Sequence, residues 1–265
     1  MEEDGVGTSR RKTEPSHGVA LLALLCVAQF VDVFDINVVI VALPAIGRAL
    51  SFSEGNLQWI VSAYVLFFAG FLLLAGRLAD LFGRRRMFMT GIGTFATASL
   101  LCGLAESPAM LLMARAAQGV GAATTAPAAL SIITTTFTGK DRNLALGVWT
   151  AVAAGGGATG LVLGGVITDG LGWEWIFLVN VPIGIAALVL SPLLIPKDMG
   201  RGSTRQVDVL GGLLGTGGLA LLVYGLTRVE PGARFLPVAS LLAIAGTLLA
   251  ALSLRSLAPP TRLFL

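Results

Sequence analysis

Histidine occurs once in this chain, at His17, and cysteine twice, at Cys26 and Cys102. A lone histidine at the edge of an apolar run leaves no Ser/His/Asp set and no cluster of metal ligands. Membrane-embedded catalysis is hard to build without them, so an enzyme, a metal site and a bound cofactor are not expected. Both cysteines lie inside apolar runs, where neither a disulfide nor a metal site is expected. Charge is scarce too: Asp, Glu, Lys and Arg make up 12% of the chain. The pI near 9.2 would suit nucleic acid. However, the basic residues sit in short stretches between apolar runs, with no basic face and no interleaved aromatics, so no nucleic-acid partner is expected.

What fills the chain instead is apolar. Hydrophobic residues are 55% of the 265 and the mean hydropathy is +0.85. Eight runs near twenty residues long recur, at 18–43, 57–75, 87–105, 109–131, 144–166, 175–195, 208–227 and 235–254. About 20 helical residues at 1.5 Å each span the ~30 Å hydrocarbon of a bilayer, so the expected class is an all-α polytopic membrane protein. Thirty-four glycines would weaken soluble helices, but small residues let membrane helices approach closely. Connectors of about a dozen residues are too short to fold alone, so no soluble domain is expected.

Residues 1–16 read as a disordered polar tail, 17–195 as a six-helix unit, 196–207 as a cytoplasmic linker, 208–255 as two further helices and 256–265 as a truncated cytoplasmic end. With the N-terminus inside, the inner segments hold Arg10, Arg11, Lys12, Arg77, Arg84, Arg85, Arg86, Lys140, Arg142, Lys197, Arg201, Arg205, Arg255 and Arg262. The outer ones hold Arg48, Arg228 and Arg234. This asymmetry places both termini in the cytoplasm. The densest polar interruption, 76–86, reads as a cytoplasmic loop between two antiparallel helices.

Charges within the hydrocarbon are costly and therefore informative. Asp32 and Asp35 are i,i+3 neighbours on the first run, and Gln29 extends their face by a turn. Arg115 and Gln118 form the same spacing on the fourth. Counted at 1.5 Å per residue, Asp35 lies roughly 12 Å and Arg115 roughly 9 Å below the outer surface. The two are therefore expected to face each other across an internal cavity. Gly156, Gly160 and Gly164 repeat every four residues on the fifth run, continued by Gly165, and should form a ridge for a neighbouring helix. The Gly-Ile-Gly at 91–93 and Gly-Val-Gly at 119–121 sit within apolar runs rather than after strands, so neither reads as a dinucleotide loop.

Four stretches in order resemble the major facilitator superfamily, and specifically its fourteen-span drug/proton antiporter family. GRLADLFGRRR at 76–86 is similar to the loop motif GxLaDrxGrk, with Gly76, Asp80, Gly83 and Arg84 in place and Leu81 at a usually basic position. FDINVVIVALP at 34–44 resembles the first-helix motif lDxTivnvAlP. LLMARAAQGVGAA at 111–123 resembles the fourth-helix motif lxxxRxxqGxgaa. The stretch 156–165 is similar to gxxxGPxxGG, with Leu161 replacing the proline. The resemblance implies a six-helix bundle built as a three-plus-three inverted repeat, with two additional transmembrane helices. It also implies a plasma (inner) membrane location and proton-coupled efflux of small amphipathic compounds, the proton being the coupling ion. In that setting Asp35 would be the main proton acceptor and Asp32 auxiliary, with Arg115, Gln118 and Gln29 lining the cavity. Gly76, Asp80, Gly83 and Arg84 would form a cytoplasmic gate. The implied partners are the lipid bilayer, a small-molecule substrate and a complementary six-helix half. The alternative expectation is a transport-inactive half or an interaction subunit.

Overall fold

The structure, a computed structural model, describes residues 15–197 and the isolated positions 218, 221, 244, 246 and 247. Most of the expected N-terminal tail, most of the linker, nearly all of the seventh and eighth runs and the C-terminal end lie outside the described residues. Within 15–197 there are helices α1 (Pro15–Ala49), α2 (Glu54–Leu57), α3 (Trp59–Phe82), α4 (Arg84–Gly103), α5 (Pro108–Thr136), α6 (Gly139–Leu171), α7 (Trp175–Leu178) and α8 (Asn180–Leu194). No strand occurs among the described residues. The short α2 and α7 are first turns rather than separate layers. Gln58 and Val179, which follow them, keep helical dihedrals, so α2–α3 and α7–α8 each act as one span.

The helices outrun the apolar runs that announced them. Hydropathy marks where lipid ends, whereas a helix can continue into water by exposing charged side chains. Thus α1 continues through Pro44 to Ala49, and α3 carries Arg77 and Asp80 on its last turns. The expected eleven-residue loop at 76–86 is therefore corrected: a single residue, Gly83, separates α3 from α4. Gly83 has φ 93° and ψ 141° and donates its N–H to Ala79 O. That backbone region is essentially closed to side chains. Gly83→Ala should cost about 1–3 kcal/mol in unfolding free energy, read as a fall in thermal midpoint, while Gly76→Ala should be near neutral. A Cβ at Gly76 would come no closer than 4.0 Å to Pro127.

Packing pairs the helices α1 with α6, α3 with α5 and α4 with α8, and closes with α4 on α5 and α1 on α8. Exchanging the triplet α1, α3, α4 for α5, α6, α8 maps this set of contacts onto itself. The first helix of each triplet pairs with the second of the other, and the third with the third. This is the pattern an internal repeat produces.

Four of the described spans are long and apolar enough to cross a membrane: Ser16–Ala49, Gly55–Phe82, Gly139–Leu171 and Trp175–Leu194. α4 and α5 fall below that hydropathy for different reasons. α4 opens on three arginines, and α5 is rich in Ala, Thr and Gly with residues buried along its length. A helix surrounded by other helices has no need to be oily. Ser107 caps α5 by accepting from Met110 N at 3.3 Å, with Pro108 at the first helical position, where its missing N–H costs nothing. On the rim the bundle is inverted relative to a soluble protein: Met113, Val19 and Leu193 are at least 70% exposed.

Glycines set the closest approaches. Added Cβ atoms at Gly156 and Gly160 would stand 2.8 Å from Phe30 O and Phe34 O, and one at Gly164 3.0 Å from Val41 Cβ. α6 therefore lies backbone to backbone on α1. Gly165 is off this ridge, with only Val41 Cγ1 at 4.0 Å. α6 continues unbroken past Leu161, which is 49% exposed. The Gly-x-Gly pairs that resembled nucleotide loops are crossing points too. A Cβ at Gly121 would sit 2.7 Å from Phe95 N, and one at Gly91 2.9 Å from Gly121 O.

Candidate functional site

Every residue of one polar cluster is sealed among apolar helices. Asp35 (α1), Ser99 (α4), Arg115 and Gln118 (α5) and Asn180 (α8) are all 0% exposed. Burying charge is tolerable only where it is paired and hydrogen-bonded, and this cluster is densely so. Arg115 Nη1 makes the single ion pair among the described residues, with Asp35 Oδ2, and also donates to Gln118 Oε1 at 2.8 Å. Arg115 Nε donates to Ile60 O at 3.1 Å, so the guanidinium ties α1, α3 and α5 together. Asp35 Oδ1 accepts from Gln118 Nε2 at 3.1 Å and Asn180 Nδ2 at 2.9 Å. Gln118 Nε2 also donates to Ser99 Oγ at 2.7 Å, and its Oε1 accepts from Cys102 Sγ at 3.2 Å.

The repeat is visible in this wiring. The leading helix of each triplet, α1 and α5, carries the charged residue. The third helix of each, α8 and α4, supplies a small polar group: Asn180 to Asp35, and Ser99 to Gln118.

A second carboxylate sits beside the cluster. Asp32, one turn before Asp35, is only partly buried and accepts a hydrogen bond from Tyr64 OH on α3. The Tyr64 ring lies under the Arg115 guanidinium, with Cζ 4.5 Å from the ring centroid; Phe177 flanks it at 5.8 Å. Tyr64 thus touches both charged centres, one through its hydroxyl and one through its π face, an arrangement favourable to a buried cation.

Asp35 and Arg115 were expected to face each other across a cavity; the structure sets them in direct contact instead. A pocket lies next to Asp32, among α1, α4, α5 and α8. It is lined by Asp32, Thr125 and Asn180 together with apolar side chains such as Val31, Phe95 and Ile183. The estimate from helix length treated each residue as a point on an axis, whereas the long arginine side chain reaches across the intervening space. Gln29 is half-buried and does not line this pocket. Asp80 is exposed and Arg84 half-buried at the α3–α4 junction. Among the described residues neither has an ion-pair partner.

Tyr64, Ser99, Cys102 and Asn180 did not emerge as site residues from the sequence. Asn180 carried a usable signal, being an uncharged amide isolated within an apolar run. Tyr64 and Ser99 carried little, since such residues are common in spans.

A bundle of apolar helices in two interlocked triplets, closed around a buried acid–base pair, defines an all-α multi-pass membrane protein. Family comparison makes this specific: residues 25–207 match the Major Facilitator Superfamily model, and the chain belongs to that family. Among its relatives, the cephamycin export protein CmcT of Amycolatopsis lactamdurans is 45% identical over 229 residues, covering 85% of this chain and 47% of the relative. The puromycin resistance protein pur8 of Streptomyces alboniger is 47% identical over 212 residues, covering 80% of this chain and 42% of the relative. The chain thus spans about half the length of the relatives it matches. In fold it is similar to the POT family transporter PepTSo, with a TM-score of 0.62 at 17% identity, covering 91% of this chain and 55% of that one.

Proposed function

We propose that this chain forms one half of a proton-coupled exporter of small amphipathic compounds, acting with a second six-helix half in the plasma membrane. The observation that carries the proposal is the Asp32–Tyr64–Arg115–Asp35 cluster. Ionisable groups held this deep in a helical membrane bundle are expensive to keep, and they mark ion or substrate pathways. A proton arriving at one of the acids changes the charge of the cluster and biases the helices that meet there toward another arrangement. Substrate and proton would then compete for the same acids, which is how an antiporter exchanges them. The similarity to an export protein and a resistance protein supports outward movement of a small molecule. Both termini would be cytoplasmic, and the exposed Asp80 with Arg84 at the α3–α4 junction would dock against the second half as a gate.

The test is transport by the chain assembled with a complementary half in lipid vesicles, using an amphipathic fluorescent dye. Export should follow an imposed pH gradient and fall to the level of empty vesicles when a protonophore collapses it. Asp35→Asn should abolish export under either condition. Export indifferent to the gradient would remove the proton from the mechanism.

A further inference from the structure

The two acids of α1 are not equivalent. Asp35 is wholly enclosed, and its carboxylate accepts from Arg115, Gln118 and Asn180. Adding a proton there would displace a donor and leave the Arg115 cation buried without its counter-charge, a costly outcome in a low-dielectric interior. Among the described residues Asp32 has one hydrogen-bond partner, Tyr64, and it lines the pocket between α1, α4, α5 and α8. The lining of that pocket is mostly apolar, and beside Asp32 only Asn180 and Thr125 offer polar groups. Asn180 is 0% exposed and spends its Nδ2 on Asp35, while its Oδ1 is buried without a partner. Thr125 Oγ1 already donates to Gly121 O at 3.0 Å, which leaves its lone pairs free. The cavity of about 30 Å³ is roomy enough for a water, which needs about 10–15 Å³ on this measure and two or more polar partners.

We propose that Asp32, rather than Asp35, is the carboxylate that takes up and releases the proton. Water seated in this pocket against Asn180 Oδ1 would serve it, and Asp35 would stay ionised throughout. This reverses the order of the two acids expected from the sequence and rests on the transport reading above. In the transfer, a hydronium arriving in the pocket gives a proton to the free carboxylate oxygen of Asp32. One O–H bond forms, one breaks, neutral water remains and Tyr64 keeps its own proton. The titratable groups acting on Asp32 are Tyr64 from α3, Asp35 on its own helix and Arg115 from α5. On α4 and α8 the pocket lining is apolar apart from Asn180. Neutralising Asp32 weakens its hold on the Tyr64 hydroxyl, and the Tyr64 ring is what Arg115 rests on. Tyr64 is therefore the positioning residue through which a proton at Asp32 reaches the Arg115–Asp35 pair.

Infrared difference spectroscopy of the full chain in lipid vesicles, stepped through pH, tests this without requiring transport. The wild type should show a buried carboxylic-acid C=O band that titrates. Asp32→Asn should remove it, and Tyr64→Phe, which keeps the ring under Arg115, should displace its titration midpoint. A band that survives Asp32→Asn, or a wild type with no titrating band, overturns the assignment. So does a midpoint unmoved by Tyr64→Phe, which also decides the matter if Asp32→Asn does not fold. Failure of gradient-driven export with these bands behaving as stated would sink the transport reading alone. Gradient-driven export with a band that follows Asp35 would sink only the Asp32 assignment.

Discussion

Arg115→Ala should leave little folded protein. The guanidinium is wholly buried, donates to Ile60 O, Gln118 and Asp35, and lies against the Tyr64 and Phe177 rings. Removing it strands the Asp35 carboxylate among apolar helices, and breaking a buried pair from one side costs about 3–5 kcal/mol. The void left by so large a side chain adds to that cost. The expected readouts are a steep fall in membrane-inserted protein and a thermal midpoint well below wild type in detergent. Arg115→Lys should fall between. An ammonium keeps the charge but cannot hold Ile60 O and Asp35 at once in the planar geometry of a guanidinium. The decisive comparison is the double variant Asp35→Ala with Arg115→Met. With neither member of the Asp35–Arg115 pair left behind without the other, it should recover much of the lost midpoint while remaining unable to export. If the single alanine variant unfolds at the wild-type temperature, the pair is not what joins α1 to α5.

Much of this arrangement could be read from the chain because charge in a membrane is costly. Asp35, Asp32 and Arg115 stood out as the only charges well inside apolar runs, and the i,i+3 rule placed Gln118 beside Arg115. The ridge on α6 was legible for a related reason: glycine every fourth residue makes a flat strip, and two helices can then touch backbone to backbone. Helix ends were misplaced because hydropathy reports lipid, not hydrogen bonding. Three arginines after Gly83 looked like a loop, yet the backbone there is already the first turn of α4. Tyr64 escaped because tyrosine is common in spans and gains its meaning only from its neighbours, whereas the isolated amide of Asn180 carried a signal that no spacing within its own run connects to Asp35. What makes Tyr64 matter is that α3 crosses where Asp32 and Arg115 bracket it, and no periodicity within α3 announces that crossing.

The α1–α6 contact gives the second large effect. At Gly160 the nearest atoms to an added Cβ would be Phe34 O at 2.8 Å, Asn37 Cβ at 3.0 Å and Val38 N at 3.2 Å. Two of these three are backbone atoms and cannot turn aside as a flexible side-chain tip can. Gly160→Ala should therefore cost about 1–3 kcal/mol through overpacking, and Gly160→Leu should part the two helices. Because Phe34 and Val38 flank Asp35 on α1, a displaced α1 also shifts that carboxylate relative to Arg115 and Asn180. Gly160→Ala is thus expected to lower both the thermal midpoint and export, and Gly160→Leu to abolish assembly. Gly155, one position before the ridge glycine Gly156, is exposed and has nothing within 4 Å of its would-be Cβ. Alanine there removes a glycine from a helix interior and should stabilise by up to about 1 kcal/mol. The opposite signs at Gly155 and Gly160 separate a ridge that holds α6 against α1 from a general preference for glycine in these helices. Equal tolerance at both positions would show that the close approach contributes nothing.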